Sequence, residues 1–181
     1  MNADDLSNAV ISQLLLAKEL DTLHLSLINL RNLAAEGEID LVLDQVNKST
    51  SQKSLFLEKI LKDLPSLPLR KSLMSAMQSE GLGFFAKQRL TDTVSRLQAA
   101  AEHVQVLKLN LATEFKEKEL HLFATTLANK LGRPVVLELT VQKELLGGVV
   151  IQYGAYISDY SMRSRLQQFS EHWESAVVEA T

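Results

Sequence analysis

Through the first hundred residues, apolar side chains return at steps of three and four. Leu6, Val10, Leu14 and Ala17 form one series and Leu20, Leu23, Leu27 and Leu30 another, the spacing that gathers side chains on one face of an α-helix. Gly37 interrupts them, and Ile39 to Val46 predicts a short helix. Ser49, Thr50 and Ser51 offer capping hydroxyls to a helix carrying Leu55, Phe56, Ile60 and Leu61. Pro65 and Pro68 are expected to end it. A further helix from about Leu69 carries Leu73, Met74 and Met77, Gly81 and Gly83 punctuate the chain, and a long segment runs from Phe84 towards Ala101. Residues 1–103 therefore read as a bundle of five or six helices, with a linker helix at about 84–103.

From residue 104 the period alternates between two and three or four. Leu107, Leu109 and Leu111, separated by Lys108 and Asn110, predict a first strand with one buried face. Leu120, Phe123, Ala124, Leu127 and Leu131 line one side of a helix that stops at Gly132 and Pro134. Val135, Leu137, Leu139 and Val141 alternate with Val136, Glu138 and Thr140 as a second strand. A third strand places Val149, Ile151 and Tyr153 on one face and Val150 and Gln152 on the other. Gly154-Ala155 then reads as a hairpin tip, since glycine reverses the chain without the steric penalty of a side chain, and Tyr156-Ile157-Ser158 returns. A last helix from Ser161 carries Leu166, Phe169, Trp173 and Val177. Residues 104–181 are thus expected to fold as β-α-β-β-β-α, and the whole chain as an α+β protein.

Composition narrows the function. With 181 residues, 46% of them hydrophobic, the chain can bury a core in one medium domain or two small ones. Its longest charge-free stretches, Leu6 to Ala17 and Leu145 to Ser158, fall short of the ~20 apolar residues that span a bilayer, so no direct membrane insertion is expected. The acidic opening Met1-Asn2-Ala3-Asp4-Asp5 lacks the positive start of a secretory signal. Cysteine is absent, which removes disulfides and thiolate metal sites. A net charge of −3 gives no general attraction to nucleic acid.

The chemistry-bearing residues have plain structural readings. Gly147-Gly148 lacks the Gly-x-x-x-x-Gly-Lys frame of a phosphate loop and no helix begins just after it, so a strand entry or bulge is expected. Asp159, Ser161 and His172 have the residue types of a hydrolase triad, but His172 lies three helical turns from Ser161; Asp159 or Ser161 is read as a helix cap. His24, His103, His121 and His172 include no i, i+4 pair, and no metal is expected. Arg163 and Arg165 are read as solvated or partner-facing charges, and Phe169 and Trp173 as core.

Two strings carry more. Leu145-Leu146-Gly147-Gly148-Val149-Val150-Ile151 is followed eight residues on by Asp159-Tyr160-Ser161-Met162-Arg163-Ser164-Arg165-Leu166. Together they resemble the delta subunit family of the F-type ATP synthase, called the oligomycin-sensitivity-conferring protein in mitochondria. Its C-terminal portion reads Leu-Ile/Met-Gly-Gly, a hairpin, then Asp-Gly-Ser-x-Arg-Gly-x-Leu. Gly147, Gly148, Asp159, Ser161, Arg163 and Leu166 fall on that pattern. Tyr160 and Ser164 replace its glycines, Lys116 replaces its usual helix-capping serine, and its opening Tyr-Ala-x-Ala-Leu is missing around Leu6 to Leu14.

The resemblance implies a non-catalytic stator connector without a cofactor. It implies an N-terminal bundle that holds the alpha subunits of the catalytic head and a C-terminal domain that grips the b subunits of the peripheral stalk. It also implies a peripheral position on the cytoplasmic face of a bacterial membrane, or the organellar equivalent. By the same analogy, Val10, Leu14, Leu73 and Met77 are candidate partner-binding residues, on helices near Leu6 to Leu20 and Leu69 to Gln78, and the six motif residues are structural or stalk-facing. Two rivals are a small RNA-binding or regulatory protein, which salt-sensitive RNA binding would reveal, and a hydrolase using Ser161, which loss of activity in Ser161→Ala would reveal.

Overall fold

The computed structural model describes residues 2–179, with side chains through residue 170, and comprises two compact units, Met1–Val104 and Gln105–Thr181. The first is helical. It contains α1 (Ala3–Ile11), α2 (Ala17–Glu36), α3 (Glu38–Leu43), α4 (Thr50–Lys62), α5 (Leu67–Glu80), a 3-10 turn at Leu82–Phe85 and α6 (Lys87–Glu102).

Local chemistry sets the helix ends. Asn2 accepts the Asp5 N–H at 2.7 Å while the Asp5 carboxylate accepts the Asn2 N–H, a reciprocal cap that starts α1. The Glu19 carboxylate accepts the Leu15 and Leu16 N–H groups at 2.7 and 2.9 Å and starts α2, supplying the cap that Leu16 lacks. The first apolar series is therefore split: Leu6 and Val10 lie on α1, Leu14 lies in the connection, and Ala17 opens α2. Ser49 caps α4 as expected. Pro68 stands inside the first turn of α5, capped by Ser66, where a missing N–H costs nothing; it begins a helix and does not end the one before.

Leu6, Leu23, Leu30, Leu57, Leu73 and Leu90 are among the fully buried side chains of this unit. α6 packs along both α1 and α2, so the segment expected as a linker helix is a member of the bundle. Phe84 and Phe85 are buried and meet edge to face, their centroids 5.3 Å apart. The buried Ser66 N–H donates to Ser26 Oγ at 2.9 Å, tying the start of α5 to the middle of α2.

The second unit runs β1 (Gln105–Leu111), α7 (Glu117–Leu131), β2 (Val135–Val141), β3 (Val149–Tyr153), β4 (Tyr156–Asp159) and α8 (Met162–Glu179), with a 3-10 turn at Lys143–Leu145. The expected β-α-β-β-β-α order is the observed one. The helix α7 carries the chain back so that β2 lies parallel to β1, and the sheet order is β2-β1-β3-β4. Register puts Leu107 beside Leu137 and Leu109 between Leu139 and Ile151. Leu107, Leu109, Leu111 and Leu137 are buried, as are Leu120 and Ala124 of α7, which packs on β2. The opposite face carries the Lys108–Glu138 pair at 3.6 Å. Burial fades across the sheet: β3 is half-buried and every residue of β4 is exposed.

Candidate partner-binding surfaces

The two sequence strings meet at the junction of β3 and α8. Met162 N–H donates to the Gly147 carbonyl at 2.8 Å, Tyr160 N–H to Val149 at 2.9 Å, and Ala112 N–H to Gly148 at 3.3 Å. Both glycine carbonyls are thus occupied, one by the start of α8 and one by the end of β1. A Cβ on Gly148 would lie 2.2 Å from the Tyr160 carbonyl oxygen, and its φ is +83°; only glycine fits such a backbone approach without strain. A Cβ on Gly147 would stand in ordinary contact with the Met162 side chain, at 3.5 Å. Leu146, just before the pair, itself takes a positive φ of 61°.

Capping completes the junction. Ser161, 1% exposed, accepts the Ser164 N–H on its hydroxyl at 3.1 Å, and its own N–H donates to Asp159 Oδ1 at 2.8 Å. Hydrogen bonds from the Ser161 hydroxyl and backbone hold the Asp159 carboxyl below its usual pKa. Gly147, Gly148, Asp159 and Ser161 therefore form one structural joint. Arg163 and Leu166 stand apart from it, exposed on α8.

What the joint aims is an apolar surface. Met162, Leu166 and Phe169 recur at i, i+4 and i+7 on α8 and are 56%, 56% and 65% exposed. Tyr156, Ile157 and Tyr160 add exposed apolar area from β4 and its end. Phe169 is thus surface and not core, while Trp173, Val177 and His172 lie outside the residues whose side chains are described.

In the helical unit, the partner-facing candidates are corrected. Val10, Leu14, Leu73 and Met77 are all buried, from 0% to 9% exposed: Val10, Leu73 and Met77 lie on helical stripes turned into the bundle, and Leu14 is buried in the connection between α1 and α2. The exposed large apolar residues here are instead Leu25, Ile28, Leu41, Val46, Leu55 and Leu67. Leu25 and Ile28 were legible as leucine and isoleucine lying off the Leu20–Leu30 stripe. Grooves flank α2 on both sides. One, of about 360 Å³, lies against α4 and is lined by Glu36, Ile60 and Asp63 among others; the other side faces α6 with cavities of about 510 and 330 Å³.

Among the described residues, no group of three or more His, Asp or Glu could hold a metal ion. No helix there is long and apolar enough to cross a membrane. His121 lies 3.9 Å from Glu117 on the surface of α7, and His24 lines the larger α2–α6 cavity.

Comparison with known proteins is consistent along the chain. The family model described as ATP synthase delta (OSCP) subunit matches residues 7–173. The ATP synthase subunit delta of Stutzerimonas stutzeri (strain A1501) is 25% identical over 150 residues, covering 82% of this chain and 83% of that protein. That of Maridesulfovibrio salexigens is 28% identical over 129 residues, covering 71% and 70%. That of Citrobacter koseri is 29% identical over 79 residues, covering 44% and 45%.

Proposed function

Because the chain belongs to the ATP synthase delta (OSCP) subunit family, a non-catalytic stator component of ATP synthase, we propose that it joins the catalytic head to the peripheral stalk. In this reading the helical unit holds alpha subunits and the β-α-β-β-β-α unit holds the b subunits. The complex then sits at the cytoplasmic face of a bacterial membrane or its organellar equivalent.

The observation that carries the reading is the span of the family match, residues 7–173, which takes in both compact units. A connector needs two durable interfaces and no reactive pocket. Both units offer material for them: grooves beside α2 in one, and the Met162, Leu166 and Tyr156 surface in the other. Contiguous exposed apolar area marks protein contact sites in soluble chains, and a stable interface buries roughly 800 Å² per partner. The two contacts act in series, so torque from the rotor is resisted only as well as the weaker one holds. The exposed β4 strand and the start of α8 share the Gly147–Ser161 joint, which keeps the apolar stripe fixed relative to the sheet.

Calorimetric titration of the full chain with the N-terminal peptide of the host alpha subunit, and separately with the soluble C-terminal part of the b subunit, tests this. Saturable binding of both, with scrambled peptide inert, is the expected result. A folded protein that binds neither would overturn it.

A further inference from the structure

Resting on the stator reading above, we propose that Leu146 anchors the stalk contact: a left-handed backbone presents its side chain to an apolar stalk segment whose flanks carry carboxylates. Among the described residues Leu146 alone combines a side chain with positive φ, at φ 61° and ψ −24°. Glycine takes such a conformation freely, whereas a leucine there carries strain. The fold imposes the conformation from both sides. Before it, Leu145 is buried, Gln142 N–H donates to the Leu111 carbonyl at 2.7 Å, and Leu146 N–H itself donates to the Lys143 carbonyl at 3.1 Å. After it, the Gly147 and Gly148 carbonyls accept from Met162 and Ala112.

None of these bonds uses the leucine side chain, which is 67% exposed. Glycine would satisfy the same backbone, and a side chain kept in a strained position with little burial points to a contact outside the chain. Its surroundings indicate the kind of contact. Gly147, the next residue, faces the Met162 side chain, so Leu146 adjoins the exposed stripe of Met162 and Leu166.

At 3.6 residues per turn, Arg163 and Arg165 flank that stripe on opposite sides. Both are exposed, and among the described residues no carboxylate pairs with either. An apolar ridge between carboxylates complements such a surface. A second copy of this chain, which would set arginine against arginine, does not. A side chain on a backbone already fixed also loses less freedom when the partner arrives.

The experiment titrates the full chain with the soluble C-terminal part of the host b subunit and follows urea unfolding of each variant. Leu146→Gly is expected to weaken binding about tenfold or more while its urea midpoint stays at or above that of wild type, since glycine relieves the strain. Leu146→Ala, which keeps the strain and loses the side chain, should bind as weakly without a gain in midpoint. Arg163→Glu/Arg165→Glu should weaken binding similarly, and Leu122→Ala, at a 70% exposed leucine on α7, should stay within about twofold of wild type. Binding of Leu146→Gly or Leu146→Ala within about twofold of wild type, or a midpoint lowered by the glycine, overturns the anchor and leaves the stator reading standing. Unchanged binding of the arginine reversal overturns the carboxylate-flanked partner. Failure of folded wild type to bind the stalk at all overturns both the anchor and the stator reading.

Discussion

A methyl group at position 148 would meet the Tyr160 carbonyl oxygen at 2.2 Å on a backbone with φ of +83°. Neither atom can retreat without breaking the hydrogen bonds that Tyr160 and Met162 make to Val149 and Gly147. Gly148→Ala is expected to cost about 3 kcal/mol or more, from strain and lost packing together. Gly147→Ala, with its Cβ in ordinary contact at 3.5 Å, should cost less than about 1 kcal/mol. Urea unfolding of the two variants side by side measures the difference; equal losses would contradict the joint. Asp159 adds a pH signature. Its folded pKa is lowered by the Ser161 hydroxyl and backbone N–H, so its contribution is present above the unfolded carboxylate value of about 3.9 and vanishes as pH falls through the lower folded value. Wild type and Asp159→Ala should therefore differ at neutral pH and converge in strong acid; a constant difference would contradict this. The glycine pair and the Asp-x-Ser string were legible in the sequence as positions. Their reason was not, because the approach of Tyr160 to Gly148 is a contact across the fold.

At the scale of elements, helix periodicity located the bundle and also misplaced part of it. Leu14 continues the spacing of Leu6 and Val10 yet lies between α1 and α2, because a buried side chain in a connection can fall in phase with the helix before it. Pro68 could not be assigned from its identity alone, since proline suits the first turn of a helix as well as the residues after one. The long-range tie between helices had no sequence signature: Ser26 Oγ accepts the Ser66 N–H, both residues being fully buried. Ser26→Ala removes that acceptor and is expected to cost about 1–3 kcal/mol by stranding a buried donor. Leu90→Ala, emptying a fully buried position on α6, should cost about 2–5 kcal/mol. Thermal and denaturant melts of both check these values, and a neutral Ser26→Ala would show that the tie contributes nothing.

At the scale of the molecule, the change of period after residue 103 was plain in the sequence, and the compact units divide at Val104. What stayed hidden was which apolar stripes are exposed. Leu166 and Phe169 repeat with the same helical spacing as Leu20 and Leu23, yet the first two are more than half exposed and the others are buried. Periodicity states that a face is apolar and is silent about whether the fold buries it. The measurement that bears most directly on the stator assignment uses membrane vesicles whose ATP synthase has been stripped of its own delta subunit. Adding this protein is expected to restore ATP synthesis driven by a proton gradient, while ATP hydrolysis by the detached head proceeds with or without it. Folded protein that leaves gradient-driven synthesis at the stripped level would contradict the assignment.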